Sequence, residues 1–261
     1  MITNMFIQFP AWLLAIVIFT LILIFIWVGI AYRKYEVRKG KDELTGGLGS
    51  LENSMLTLLG LLLAFTFGMG ISKYEGRREN IILESNDIGT AILRCDMYPD
   101  SIRRILKTDF RNYVEARIQY YEAGTDPDKI KNANAESSVY SSKIWNTVLA
   151  LPPSTDNLLR GNQMIPALNE MIDILSTRDA DRIATIPPLI FVTLLLLTLT
   201  GSFLVGYDQS SSKRSKIFVI GFAFMTSVTI YLILELDRPR SGLINLNDAQ
   251  QYMVNLRSMV E

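Results

Sequence analysis

The 261 residues include no histidine and a single cysteine, Cys95. The first absence removes the commonest acid–base side chain and metal ligand, and the second rules out a disulfide within the chain. Zinc centres, Ser-His-Asp triads and Cys-His pairs are therefore excluded. Phosphate loops of the GxxxxGKS/T or GxGxxG kind are missing too; Gly68-Met69-Gly70 is a fragment of the second and falls inside an apolar run. Carboxylates could still supply chemistry, but no pair of them stands out, so the chain reads as non-enzymatic, with no cofactor and no metal. Net charge is also lacking. Its 26 basic residues balance 26 acidic ones, which gives no footing for nucleic-acid binding.

What is abundant is apolar sequence, 49% of the chain and unevenly spread. Ala11 to Ala31 contains no charged residue, and a helix of that length rises about 30 Å, the thickness of a bilayer's hydrocarbon core. Similar runs cover Ser54 to Ser72, Ile186 to Tyr207 and Ile217 to Leu234. Backbone in lipid must satisfy its own hydrogen bonds, which a helix does alone, so four transmembrane helices are expected. The first run has no basic n-region and is followed by Tyr32, Arg33 and Lys34, which favours an uncleaved anchor over a signal peptide. The chain thus reads as an all-α integral membrane protein, multi-pass, of a bacterial plasma membrane. Residues 1–72 hold spans 1 and 2, 73–185 an inserted helical domain, 186–236 spans 3 and 4, and 237–261 a turn and a short amphipathic helix.

Within 73–185 the periodicity is helical. The second span's helix is expected to continue to about Met97, ahead of Pro99. A helix from Ser101 to about Tyr121 places Ile102, Ile105, Leu106, Phe110, Tyr113, Val114 and Ile118 on one face. The turn-rich stretch Gly124 to Asp128 precedes a third helix around Val139 to Leu149. Ser154, Thr155 or Asp156 caps a fourth, with the stripe Leu158, Ile165, Leu168, Ile172 and Leu175. In the tail, Asn247 or Asp248 is the expected N-cap of a helix whose face of Ala249, Tyr252, Met253, Leu256, Met259 and Val260 could lie on a membrane surface but, with Arg257 as its one basic residue, is expected to dock on the helical domain.

Polar residues inside the second span point to function. Asn53, Thr57, Gly60, Ala64, Gly68 and Ser72 recur at spacings of three and four, and so form one small or polar stripe. Two readings fit: the stripe lines a water-filled passage that Leu61 narrows, or small residues let helices approach closely in lipid. Just beyond, Arg77, Asn80, Glu84, Asp87 and Arg94 share a broad face, with Arg77 near Glu84 and Asp87 near Arg94 as candidate pairs. Arg178 and Arg182 are one turn apart on the fourth helix of the insert. After the last span, Leu234 to Gly242 reads LELDRPRSG, where Asp237, Arg238 and Arg240 form either a structural clasp or part of an ion's mouth.

Several of these stretches resemble the bestrophin-like family of bacterial and plant membrane proteins. They are Gly60-Leu61-Leu62-Leu63-Ala64-Phe65-Thr66-Phe67, Arg77, the run Glu84-Ser85-Asn86-Asp87-Ile88-Gly89-Thr90-Ala91-Ile92-Leu93-Arg94, and Leu236-Asp237-Arg238-Pro239-Arg240-Ser241-Gly242. Trp145, Asn169, Asp173 and Pro187-Pro188 are similar as well. The family has Glu-Ala-Asn where this chain has Glu84-Ser85-Asn86. The likeness runs from about Leu56 to Leu243 and implies the same four-span plan with a helical insert. Bestrophins proper are pentameric anion channels whose second spans line the pore; the similarity to them is one of layout, without their aromatic-rich pore-neck motif. The small-polar stripe and this layout together point to a homo-oligomeric channel in the lipid bilayer for small inorganic ions, anions among them, with Asn53, Thr57, Gly60, Ala64 and Gly68 on the pore. Arg77, Asn80, Glu84, Asp87, Arg94, Arg182, Asp237, Arg238 and Arg240 would then form a polar network at the membrane interface. A non-conducting scaffold or sensor, binding a partner through the domain Lys73 to Ala184, is the alternative. Orientation stays open: the basic linkers after spans 1 and 3 place the domain outside by the positive-inside rule, whereas the resemblance places it in the cytoplasm.

Overall fold

The computed structural model describes residues 9–40, 48–209, 216–238, 240 and 242–261. Lys41, Lys213, Arg214, Pro239 and Ser241 therefore lie outside the described residues. Among those described, the chain is helical without strands, with α1 at Ala11–Arg38, α2 at Leu48–Arg94, α3 at Asp100–Glu122, α4 at Pro127–Leu149, α5 at Thr155–Ile183, α6 at Pro188–Gln209, α7 at Lys216–Asp237 and α8 at Asn247–Asn255. Four stretches are long and apolar enough to cross a bilayer, within Ala11–Arg38, Ser50–Met97, Thr155–Asp208 and Ile217–Asp237. Two compact units result, one of Met1–Ser72 with Thr185–Arg238 and one of Lys73–Ala184 with Pro239–Glu261.

In the membrane unit α1 buries a narrow stripe, Ile18, Ile22, Ile26, Gly29 and Arg33, and leaves Trp12, Ile16, Ile24 and Trp27 exposed. A helix apolar all round with only one stripe covered is suited to lipid on its remaining faces. The stripe meets α6 through two glycines. A Cβ on Gly206 would lie 2.0 Å from the Ile26 carbonyl oxygen, and one on Gly29 would lie 2.2 Å from that of Phe203. No side chain fits at either position, so the two backbones touch, the small-residue packing that lipid favours. Ile22, Ile26, Phe191, Ala223, Ile230 and Ile233 complete the core of α1, α6 and α7. Buried hydroxyls are satisfied inside their own helices: Thr66 donates to the Leu62 carbonyl at 2.7 Å, Ser202 to Thr198 at 2.6 Å and Ser227 to Ala223 at 2.8 Å.

The second unit begins with the distal part of α2, which ends at Arg94 and tightens into a 3₁₀ turn over Cys95–Met97. Ile88, Ile92, Leu106, Phe110, Ile144 and Leu168 are all nearly or fully buried in its core. Most of the expected face of α3 is buried, but Ile105 is 49% exposed. α4 starts twelve residues before the expected Val139, because Asp126 accepts from the Asp128 and Lys129 amides and Pro127 occupies the first turn. The polar stretch Lys129 to Ser138 had masked that start. On α5, Ser154 is the cap, accepting from the Asn157 amide at 3.2 Å. Its buried side is Met164, Ala167, Leu168 and Met171, whereas Leu158 is exposed, so the stripe read from sequence was rotated toward solvent. The tail helix does dock: Met253, Leu256 and Val260 join the core, and a Leu256 methyl sits 3.4 Å from the Cβ position of Gly89. Its cap position is Leu246, without a side-chain cap, rather than Asn247 or Asp248. Tyr252 is 50% exposed.

Candidate functional site

Two polar constellations can be built from the residues upward, one in each unit. In the membrane unit, the stripe of α2 faces outward. Asn53, Thr57, Gly60, Ala64 and Gly68 are all exposed, and no atom lies within 4 Å of the Cβ positions of Gly60 or Gly68. Thr57 returns its hydroxyl to the Asn53 carbonyl at 2.7 Å. Leu58, Leu61 and Phe65 flank the stripe and are exposed as well. The opposite side of the helix carries the contacts: Leu59 and Thr66 are buried, and a Cβ on Gly70 would lie 3.3 Å from that of Leu236. Glu52, one residue before the stripe and 2% exposed, was not singled out by the sequence reading. At the end of α7 the Asp237 carboxylate accepts from the Ile186 amide at 2.9 Å, and Arg238 donates to the Phe9 carbonyl at 2.8 Å. Asp237 thus ties the last span to the start of the third.

In the second unit the centre is Glu84, which is completely buried. Arg117 donates to it from Nε at 2.5 Å and from Nη2 at 3.4 Å, while Arg178 donates from Nη1. The remaining Arg117 Nη1 donates to Asn134 Oδ1 at 3.1 Å. Burial alone would push the Glu84 carboxyl up, but the two guanidiniums outweigh it and hold the group below the ordinary carboxylate range. The ring of Tyr120 lies beneath three guanidinium carbons, at 4.3 Å for Arg117, 5.6 Å for Arg178 and 4.6 Å for Arg240. Its hydroxyl donates to Asp179 at 3.2 Å, and Asp179 also accepts from Arg182 at 3.0 Å.

Of the polar residues predicted from sequence in the second unit, three meet around Tyr120: Arg240 stacks on its ring, Arg182 shares Asp179 with its hydroxyl, and Glu84 holds Arg117 over the same ring. Glu84 is joined by Arg117 and Arg178. Arg77 donates to the carbonyls of Asp181 at 3.0 Å and Ala184 at 2.6 Å, closing the end of α5, and Asn80 bonds the Asp181 carboxylate. Arg94 donates to the Gln163 carbonyl and not to Asp87. Burial, then the neighbouring Glu170 and Glu84, raises the affinity of Asp87 for its proton. Arg240 donates to the carbonyls of Tyr120 at 3.3 Å and Gly124 at 3.4 Å, so it caps the carboxyl end of α3, where orphan carbonyls and the helix dipole attract a cation. Burial lowers its pKa. Arg117, Tyr120 and Asp179 were missed. Arg117 lies on the same helix as the apolar face of α3, and its partner, 33 residues earlier, is fixed only by tertiary packing.

The Bestrophin-like domain matches residues 18–250. No curated protein matches. Among solved structures, a point variant of a bacterial bestrophin homologue from Klebsiella pneumoniae superposes with a TM-score of 0.69 at 14% identity, covering 94% of this chain and 98% of that one. A structure described as a membrane protein, also a point variant, gives 0.66 at 14% identity with the same coverage. A second variant of the Klebsiella homologue gives 0.64 at 11% identity.

Proposed function

This chain belongs to the bestrophin-like family, and we propose on that footing that it is a homo-oligomeric membrane channel for small inorganic anions, with α2 lining the path. The exposed stripe Asn53, Thr57, Gly60, Ala64 and Gly68 carries the reading. A helix face turned to acyl chains gains most from large apolar side chains, as on the exposed side of α1 with Trp12, Ile16 and Trp27. Small and polar groups gain little there. They suit a face turned toward water at an axis shared by several copies, with Leu61 as the narrowing where the path could dry. Preference for anions rests on arginines whose charge is not cancelled. Arg94 and Arg240 donate to carbonyls and pair with no carboxylate among the described residues, so their field attracts anions from solution.

Thiol labelling tests the lining. Thr57→Cys, Gly60→Cys and Ala64→Cys should react with a water-soluble, membrane-impermeant reagent in reconstituted vesicles, against the low background of the buried Cys95. Planar-bilayer recordings of the purified protein should then show a conductance whose reversal potential follows the anion gradient. Absence of labelling at all three positions, or of conductance under every gradient, overturns the proposal.

A further inference from the structure

An apolar cavity of about 230 Å³ opens in the membrane unit at the end of α1 nearest Phe9, and it has no polar lining. Leu14 and Ile18 of α1, Phe191 and Leu194 of α6, and Leu234 of α7 form its walls, with Phe9 at its rim. An engineered apolar cavity of about 150 Å³ stays dry and takes up benzene, so this larger one has room for an aliphatic segment and no group with which to hold water. Emptiness forfeits the dispersion contacts of ten lining residues. A solvent of acyl chains surrounds these helices, and such a chain fills the space without desolvating anything.

The rim favours one kind of chain. Arg238 follows Leu234 by one helical turn, and its Nη1 is tethered to the carbonyl of Phe9 at 2.8 Å, so its guanidinium is held beside the rim residue. Trp12, 57% exposed one residue into α1, stands at the same end of the span, in the position amphipathic rings take at a bilayer's polar boundary. The Arg238 guanidinium, beside the rim residue of a dry, tail-sized slot and within the field of Asp237 and Glu235, offers charge-assisted donors suited to a phosphate joined to hydrocarbon. We infer that this groove is a binding site for a membrane phospholipid, one acyl chain lying between α1, α6 and α7 and its phosphate on Arg238. The inference does not depend on conduction, since all of its residues lie outside the α2 stripe.

Retention of lipid through purification tests it. Full-length protein reconstituted with dioleoylphosphatidylglycerol, re-extracted in detergent and washed, should keep about one phospholipid per chain in native mass spectra. Leu194→Trp fills the slot and should abolish retention, whereas Ile16→Trp, on the 55% exposed lipid side of α1, should leave it unchanged. Arg238→Gln removes a charge-assisted contact and should lower retention roughly tenfold. A photoactivatable acyl chain on the same lipid should label peptides of α1, α6 and α7. No retained lipid in the wild type, equal retention in Leu194→Trp and wild type, or a photolabel that misses the peptides of α1, α6 and α7 overturns the site. A melting scan of each variant identifies one that fails to fold, and the photolabel on wild type then decides alone.

Discussion

The two units solve the problem of buried polarity in different ways. In the membrane unit, hydroxyls within the spans turn back on their own helix, as Thr66, Ser202 and Ser227 do, and helices meet where side chains vanish, at Gly29 and Gly206. Its long-range polar bonds described above sit at span ends: Asp237 to Ile186 and Arg238 to Phe9. A further group at one such end joins Arg33, the Tyr207 hydroxyl and Glu36. The second unit places a carboxylate and two guanidiniums at its centre and links segments far apart in sequence through them. Without water as a competitor, a membrane helix gains little by exchanging one apolar contact for another, so fit decides; in the second unit, desolvated charges hold only when every partner is present.

The comparison breaks most visibly at Glu84. Glu84→Gln leaves Arg117 and Arg178 buried without their anion and should cost about 3–5 kcal/mol, read as a large fall in the melting temperature of detergent-extracted protein. Because the folded-state pKa of Glu84 is depressed, its contribution is complete above its ordinary value of 4.5 and is lost as pH falls through the folded value. The wild type should therefore weaken on strong acidification, and Glu84→Gln should lack that component. Asp87, raised instead, works with opposite sign, so Asp87→Asn isolates the Glu84 limb. An unchanged melting temperature in Glu84→Gln would show that the unit does not depend on its charge centre.

The membrane half of the contrast is tested at Gly206→Ala. One methyl at 2.0 Å from the Ile26 oxygen must drive α1 from α6, and a cost of about 1–3 kcal/mol follows from overpacking. Thermal unfolding of Gly206→Ala and of Gly221→Ala, where nothing lies within 4 Å, should differ by that amount. Smaller again is Arg240→Gln, which strips the cation from the carboxyl end of α3 and should cost about 1 kcal/mol in the same melt. Smallest is Arg257→Ala. Its bidentate pair with Glu115, at 2.6 and 2.7 Å, is half open to solvent, so about 0.5 kcal/mol or less is expected. A loss there as large as that at Glu84 would erase the distinction between buried and exposed charge.

How much of this the sequence announced depends on the range of the signal. Spans are local: an uncharged run such as Ala11 to Ala31 declares itself, and the four candidate stretches of the structure contain the four runs. The docking of Met253 and Leu256 was also readable from the periodicity of one short helix. The start of α4 was not, because between Lys129 and Ser138 only Ile130 and two alanines interrupt the polar residues, too weak a stripe to read, and the start is fixed by the Asp126 cap. Glu84 was marked as a candidate, yet its partners were not. Arginines occur throughout the chain, and only the packing of α3 and α5 selects Arg117 and Arg178 from among them. Asp87 and Arg94, a plausible pair by spacing, remain apart because Arg94 reaches the Gln163 carbonyl.

Helix α2 runs unbroken from Leu48 to Arg94, and the boundary between the two units falls within it, between Ser72 and Lys73. A cut there severs a continuous ladder of backbone hydrogen bonds and leaves a raw helix start with four amides unanswered. A fragment from Lys73 to Ala184 would also forfeit Met253, Leu256 and Val260, which return from beyond the last span to complete its core. Biochemistry on this half of the molecule needs either the whole chain or a graft that carries the tail along with it.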